Sequence, residues 1–280
     1  MAKRIKRPKR GIWPWFGVFV VLLFAGYLTF WLVAKGRETI PEKRIREVKR
    51  PPIITTPVVK YKPKIAIIID DLGYDRHIAE EFLKLDIPLT YSILPFSQHG
   101  KAIARKAWAN GQAVMLHLPM EANNYYKMNP EDGFLFLNMD KQALLKQLKR
   151  DLDDLPHING VNNHMGSRFT QSTPHMKWVL SELKERQLFF VDSVTTGSSK
   201  GFSLAKNMGV KTAQRDVFLD NIKEPSAIRA QISQLVEVAQ KSGFGVAIGH
   251  PSPVTYQVLK ESIPELKEKV ELVPVSQLVH

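Results

Sequence analysis

Lys64-Ile65-Ala66-Ile67-Ile68-Ile69-Asp70-Asp71-Leu72-Gly73 is the stretch on which the fold turns. Five apolar residues, four of them isoleucine, run without alternation into two adjacent carboxylates and a glycine. An unbroken β-branched run suits a strand buried on both faces, the kind found in parallel sheets and barrels. Ligands of such folds bind at the carboxyl ends of the strands, where Asp70 and Asp71 stand. Neighbours on a strand point to opposite sides, so the two aspartates are expected to have separate tasks.

Strand and helix patterns alternate from there to the C-terminus. The apolar spacing predicts helices over Arg76–Leu85 (capped by Asp75), Lys101–Trp108, Lys141–Leu155, Thr173–Arg186, Phe202–Asn207, Pro225–Lys241 and Thr255–Ser262. Between them Leu89–Leu94, Ala113–Leu118, Ile158–Asn163, Leu188–Asp192, Val210–Ala213, Phe244–Ile248 and Val270–Val273 read as strands. Glu121 to Met139 is a long connection of the sort that often carries function. About seven or eight βα units in so short a span predict an α/β fold, a (β/α) barrel rather than an open sheet, with an open doubly wound sheet as the alternative. No glycine-rich phosphate loop follows the first strand, which weakens a nucleotide-binding reading.

The charge is unevenly placed. The chain carries a net +13, but residues 1–63 hold 15 Lys/Arg against 3 Glu and residues 64–280 hold 25 against 24 Asp/Glu. The basic excess belongs to the N-terminal arm, and a nearly neutral domain argues against a nucleic-acid partner. Residues 1–12 form a basic tail, and the run from about Trp13 to Ala34 carries no charge. That run is long enough to span a bilayer, with Trp13, Trp15 and Trp31 near its ends. A cleaved signal peptide is the rival reading, but no small-x-small site follows, so an uncleaved anchor is expected. The basic tail predicts an inside N-terminus, although six further Lys/Arg follow between Arg37 and Arg50. In a bacterium this single-pass inner-membrane protein would carry its C-terminal domain in the periplasm. Residues 35–63, with five prolines, read as a stiff tether, and 64–280 as the barrel domain. Nothing in the sequence sets an oligomeric state.

Polar residues gather where strands end: Asp70-Asp71, His117 to Glu121, Asn162 to Arg168, Asp192-Ser193, Arg215-Asp216, Asp220-Asn221 and Gly249-His250-Pro251. One such cluster is ordinary. Repeated on successive strands, they converge on one mouth of a barrel. With no cysteine, a metal there must use histidine and carboxylate. Three such ligands leave a divalent ion open positions for polarising a carbonyl and acidifying water. No G-x-S-x-G elbow is present, which disfavours that type of serine hydrolase.

As an ordered set, Ile69-Asp70-Asp71-Leu72-Gly73, His117-x-x-x-Glu121, Asn163-His164-Met165-Gly166-Ser167, Phe190-Val191-Asp192-Ser193 and Gly249-His250-Pro251 resemble the divergent polysaccharide deacetylase family. That family is a distant branch of the NodB-like carbohydrate esterases. The resemblance spans about residues 64–280 and implies a distorted (β/α) barrel usually counted as seven strands, with metal-dependent N- or O-deacetylation of envelope sugars. By position Asp70 matches the catalytic base, Asp71 the metal-binding aspartate, and His117 the first histidine of a His-x-x-x-His metal motif. His250 matches the histidine that protonates the leaving amine. The second metal histidine is Glu121 here, so either Glu121 or His164 is expected as third ligand. The usual Arg-x-x-Tyr motif is absent, and residues 163–168 stand in its place. Asn163, Ser167, Arg168, Asp192 and Arg215 are the candidates for binding substrate. Zinc is the expected ion, an acylated envelope glycan the expected substrate, and a catalytically degenerate barrel that binds glycan or an envelope protein the alternative.

Overall fold

The computed structural model describes residues 13–36, 61–124 and 132–280, with side chains inside the first helix described at Leu23 and from residue 25 onward. By contact the chain separates into two units, Met1–Val58 and Val59–His280. In the first, helix α1 (Trp13–Lys35) covers the apolar run, and its described side chains are exposed. Among the described residues no helix is long and apolar enough to cross a membrane, so the expected anchor gains no support there. The expected basic tail and most of the tether lie outside the described residues.

The second unit is built on one all-parallel sheet. Its strands are β1 (Lys64–Leu72), β2 (Thr90–Ile93), β3 (Ala113–Met120), β4 (Gly160–Met165), β5 (Phe189–Asp192), β6 (Thr212–Gln214), β7 (Val217–Phe218), β8 (Phe244–Gly249) and β9 (Glu271–Leu272). Their order is β6-β5-β4-β3-β2-β1-β8-β7, with β9 added to β1. The helices α2 (Arg76–Phe82), α3 (Gly100–Ala109), α4 (Lys141–Asp154), α5 (Thr173–Glu185), α6 (Gly201–Met208), α7 (Pro225–Ser242) and α8 (Pro253–Lys269) alternate with the strands, except between β6 and β7. There a single bent segment supplies both edges of the sheet. The Arg215 N–H donates to Asp192 O at the end of β5, and the next amide, Asp216, donates to Val246 O on β8. Consecutive amides thus stitch the two edges, and the sheet curls as in a (β/α) barrel.

The unalternating first strand is explained by two apolar layers. Ile65, Ile67 and Ile69 pack into the cluster that contains the helix residues. Ala66 and Ile68 join a second cluster with Met115, Val191, Ala213, Val246 and Ile248, to which none of the helices α2 to α8 contributes. That second cluster fills the inside of the curl. Val273, Val275 and Leu278 of the C-terminal segment belong to it, and the segment is pinned by Thr212 N–H to His280 O. With a side-chain period of two, the residues above this inner layer are fixed: Asp70 follows Ile68, His117 follows Met115, Ser193 follows Val191, and His250 follows Ile248.

Several boundaries differ from expectation, β7 was not expected, and two of the differences run through a proline. α8 continues past Ser262 through Pro264 to Lys269. Proline removes one helical hydrogen bond, but Pro264 is exposed and buried Leu266 anchors the last turns. β3 continues through Pro119 to Met120, because the strand pairs with β4 to its end, Pro119 beside His164 and Met120 beside Met165.

One buried charge outside the mouth has a measurable consequence. Asp151 on α4 is fully buried; its Oδ1 accepts from Gln147 Nε2 at 2.6 Å and its Oδ2 has no partner. Burial pushes its carboxyl from 3.8 up to about 7, against the opposing pull of Gln147 and Arg150. The folded chain keeps this proton over a range where the unfolded chain has lost it, so stability falls as pH rises through that window. Asp151→Asn should flatten that fall and add about 1–3 kcal/mol above it. Urea melts at about pH 5 and about pH 8 test this; an unchanged pH dependence in the variant would count against it.

Candidate functional site

The mouth of the curl is a cavity of about 390 Å³ lined by Asp70, Asp71, His117, His164, Arg215 and His250 among others. A larger and mostly apolar groove of about 480 Å³ lies at Phe202, Val210, Phe244 and Leu278. It has no converging set of catalytic groups, so the chemistry points to the smaller mouth.

Asp71 reaches the mouth through backbone geometry that strand alternation does not foresee. The pairing of β1 with β2 slips between Ile69 and Leu72, and Asp71 has φ +53°. A bulge of this kind re-aims a side chain, so Asp70 and Asp71 serve the same site rather than opposite faces. Met165 (φ +54°) and Val194 (φ +48°) hold the same left-handed conformation at the ends of β4 and β5. For β-branched Val194 this costs on the order of 1–3 kcal/mol, and such strain is commonly found at functional sites.

Three potential ligand atoms meet. Asp71 Oδ1 lies 3.1 Å from His117 Nε2 and 2.9 Å from His164 Nδ1, and the two ring nitrogens are 3.2 Å apart. These three residues form the group able to hold a metal among the described residues. Asp71 Oδ1 is buried and makes no hydrogen bond of proper geometry despite its close neighbours. A positive charge at this meeting point would satisfy it, and Asp with two His suits a divalent ion. Burial pushes the Asp71 carboxyl up, but His117 and His164 outweigh it and hold it far below the usual range. Burial likewise disfavours charged His117, yet Asp70 and Asp71 raise its pKa to about 9.

Asp70 and His250 occupy places near this group. Asp70 is buried, with Oδ2 3.6 Å from His117 Nε2, and accepts from Asn162 Nδ2 at 2.8 and 3.0 Å. Burial raises its pKa, partly opposed by His117. His250 Nδ1 lies 2.9 Å from Asp220 Oδ1, which leaves Nε2 facing the mouth, 3.6 Å from Asp71 Oδ2. Burial lowers the His250 pKa, but Asp220 and then Asp71 outweigh it and raise it overall. Asp220 also accepts from the His250 N–H and from Thr255 Oγ1, each at 2.7 Å.

The remaining sequence candidates divide. Glu121 does not join the ligand group. Its Oε1 accepts from the Arg168 guanidinium and its Oε2 from the Leu137 N–H at 2.7 Å, so it braces the connection after β3. Arg168 is thereby a clamp on Glu121, and Ser167 Oγ accepts from the Asn123 N–H at 3.0 Å. Asp192 accepts from Val194 N–H, Ser199 Oγ and Phe202 N–H, which fixes the turn into α6. None of these four is among the described residues lining the mouth. Asn163 borders it, but its amide is spent on Ser193 N–H and Met165 O. Arg215 also borders it, donating from Nε and Nη2 to Ser193 O and Val194 O. Sequence reading placed Asn162 and Asp220 among the strand-end polar residues but gave neither a role. Counting alternate residues along β4 separates Asn162 and His164 from Asn163 and could have found the first. Glu121→Gln should cost about 1–3 kcal/mol of stability and leave metal uptake unchanged. A folded variant that takes up no metal would return Glu121 to the site.

The sequence profile described as divergent polysaccharide deacetylase matches residues 67–279. The chain belongs to the divergent polysaccharide deacetylase family. It is 34% identical over 217 residues to the uncharacterized protein YibQ of Escherichia coli K12, covering 78% of this chain and 67% of YibQ. A Haemophilus influenzae relative, also uncharacterized, is 33% identical over 217 residues, covering 77% of this chain and 76% of its own. The crystal structure of uncharacterized protein ATU2773 from Agrobacterium tumefaciens C58 aligns with a TM-score of 0.74 at 21% identity, over 78% of this chain and 90% of that one. At that identity the likeness speaks to the fold. Family membership agrees with the resemblance read from the ordered motifs.

Proposed function

We propose that residues 64–280 form a metal-dependent deacetylase acting on an acylated envelope polysaccharide or oligosaccharide. The observation that carries this reading is the convergence of Asp71 Oδ1, His117 Nε2 and His164 Nδ1 in one mouth, with Asp70 and His250 beside them. Asp71, His117 and His164 would hold the ion, most simply zinc. A bound divalent ion supplies Lewis acidity, polarising an acyl carbonyl and lowering the pKa of a nearby water. Asp70 takes the proton from the attacking water as the carbon–oxygen bond forms. His250, its Nδ1 held by Asp220, gives a proton from Nε2 to the leaving nitrogen or oxygen as the acyl bond breaks. Arg215 and Asn163 border the space where the sugar would lie.

A barrel that binds glycan without turnover is the second reading. It is favoured by the commitment of Glu121 to Arg168 and by the absence of the Arg-x-x-Tyr motif. We also propose, from the uncharged run under α1 and the basic tail before it, that the chain is anchored in the inner membrane with its catalytic unit in the periplasm. Asp71→Ala and His117→Ala should each lower zinc affinity by more than about 100-fold, since loss of a ligand exceeds the effect of losing its supporting partner. Zinc retained at parental affinity in both variants would refute the site.

A further inference from the structure

Asn162 joins more of the mouth than any residue singled out by sequence. It is fully buried on β4, and its partners come from three other strands and from the residue just after a fourth. Its Oδ1 lies 2.8 Å from His117 Nδ1 on β3 and accepts from Ser92 Oγ on β2. Its Nδ2 donates to both Asp70 oxygens on β1 and, at 3.2 Å, to Ser193 Oγ just after β5. This amide orientation gives each of its two lone pairs a donor and each of its two N–H groups an acceptor. Turning the amide over would set its oxygen against the Asp70 carboxylate.

The orientation has a chemical consequence. With Asn162 Oδ1 as its partner, the neutral His117 ring must carry its proton on Nδ1, and Nε2 then presents a lone pair towards Asp71 and His164. That is the tautomer a metal ligand needs, and a partner on the other ring nitrogen is the usual way of fixing it. The same amide, through its N–H side, holds Asp70 in the mouth. We propose that Asn162 is the positioning residue that sets His117 for metal binding and aims the Asp70 carboxylate, so that one amide aligns both halves of the site. This rests on the deacetylase reading for its purpose, but its effect on His117 can be measured without turnover.

The test uses the full chain labelled with ¹⁵N at histidine, together with Asn162→Leu and Asn162→Asp. Metal-free at alkaline pH, where the ring is neutral, His117 of the parent should carry its proton on Nδ1. Asn162→Leu should lose that preference and bind zinc about 10–100-fold more weakly. Asn162→Asp keeps an acceptor for His117 but faces Asp70 with oxygen. It should hold the Nδ1 proton and zinc affinity within a few-fold while hydrolysis falls about 100-fold or more. A parent His117 protonated on Nε2 overturns the proposal with no variant needed. So does an Asn162→Leu chain that keeps both tautomer and zinc affinity, or an Asn162→Asp chain that loses zinc as fully as Asn162→Leu. If the parent binds no zinc, the deacetylase reading falls, and the tautomer measurement alone still decides the role of Asn162.

Discussion

Asp70→Asn will leave the chain folded and able to bind metal while lowering hydrolysis of an acylated glycan by about 10²–10⁴-fold, the range that a positioned general base contributes. The substitution keeps shape and removes only the ability to accept a proton. Asp70 is buried beside His117 but is not in the ligand group of Asp71, His117 and His164. Burial raises its pKa, which makes it a better proton acceptor than an exposed aspartate. Circular dichroism and zinc titration on the same preparation as the activity assay separate loss of base from loss of fold. A variant that binds zinc and deacetylates at the parental rate would remove Asp70 from the chemistry.

His250→Ala should show its effect in the choice of substrate. An amide nitrogen leaves poorly without a proton, whereas the oxygen of an activated ester needs none. Turnover of an N-acetylated sugar should therefore fall about 10²–10⁴-fold, and hydrolysis of an activated ester much less. The geometry behind this is the pair of His250 Nδ1 and Asp220 Oδ1 at 2.9 Å, which directs Nε2 into the mouth. Asp220→Asn should move activity in the same direction, because it weakens the hold on the ring and the pull that raises its pKa. Equal losses on amide and activated ester in His250→Ala would deny it the role of acid.

Much of the architecture was legible because period and punctuation agree. The unalternating isoleucines of β1 read correctly as a strand covered on both sides, since one layer of helices and one inner cluster do cover it. Asp75 was legible as a cap and accepts from the Ile78 N–H at 3.1 Å. The recurrence of polar residues at strand ends pointed to a single mouth, and the structure brings Asp70, Asp71, His117, His164 and His250 to it. What alternation could not foresee was the bulge that turns Asp71 to the side of Asp70. Nor does spacing distinguish a carboxylate at the mouth from one that braces a loop. Glu121 and Asp192 occupy motif positions, yet their oxygens are filled by Arg168 and by backbone amides. The roles of Asn162 and Asp220, both visible as strand-end polar residues, were illegible for a related reason: they lie in which partners the curl of the sheet brings to them.

Asp71, His117 and His164 are expected to share one divalent ion. X-ray absorption on the zinc-loaded full chain, paired with elemental analysis of the parent, Asp71→Ala and Glu121→Gln, decides this. The parent and Glu121→Gln should each hold one tightly bound ion, ligated by two imidazoles and a carboxylate oxygen at about 2.0–2.2 Å, and Asp71→Ala none. A parent chain without tightly bound metal, or an ion that survives Asp71→Ala and departs with Glu121→Gln, would contradict it.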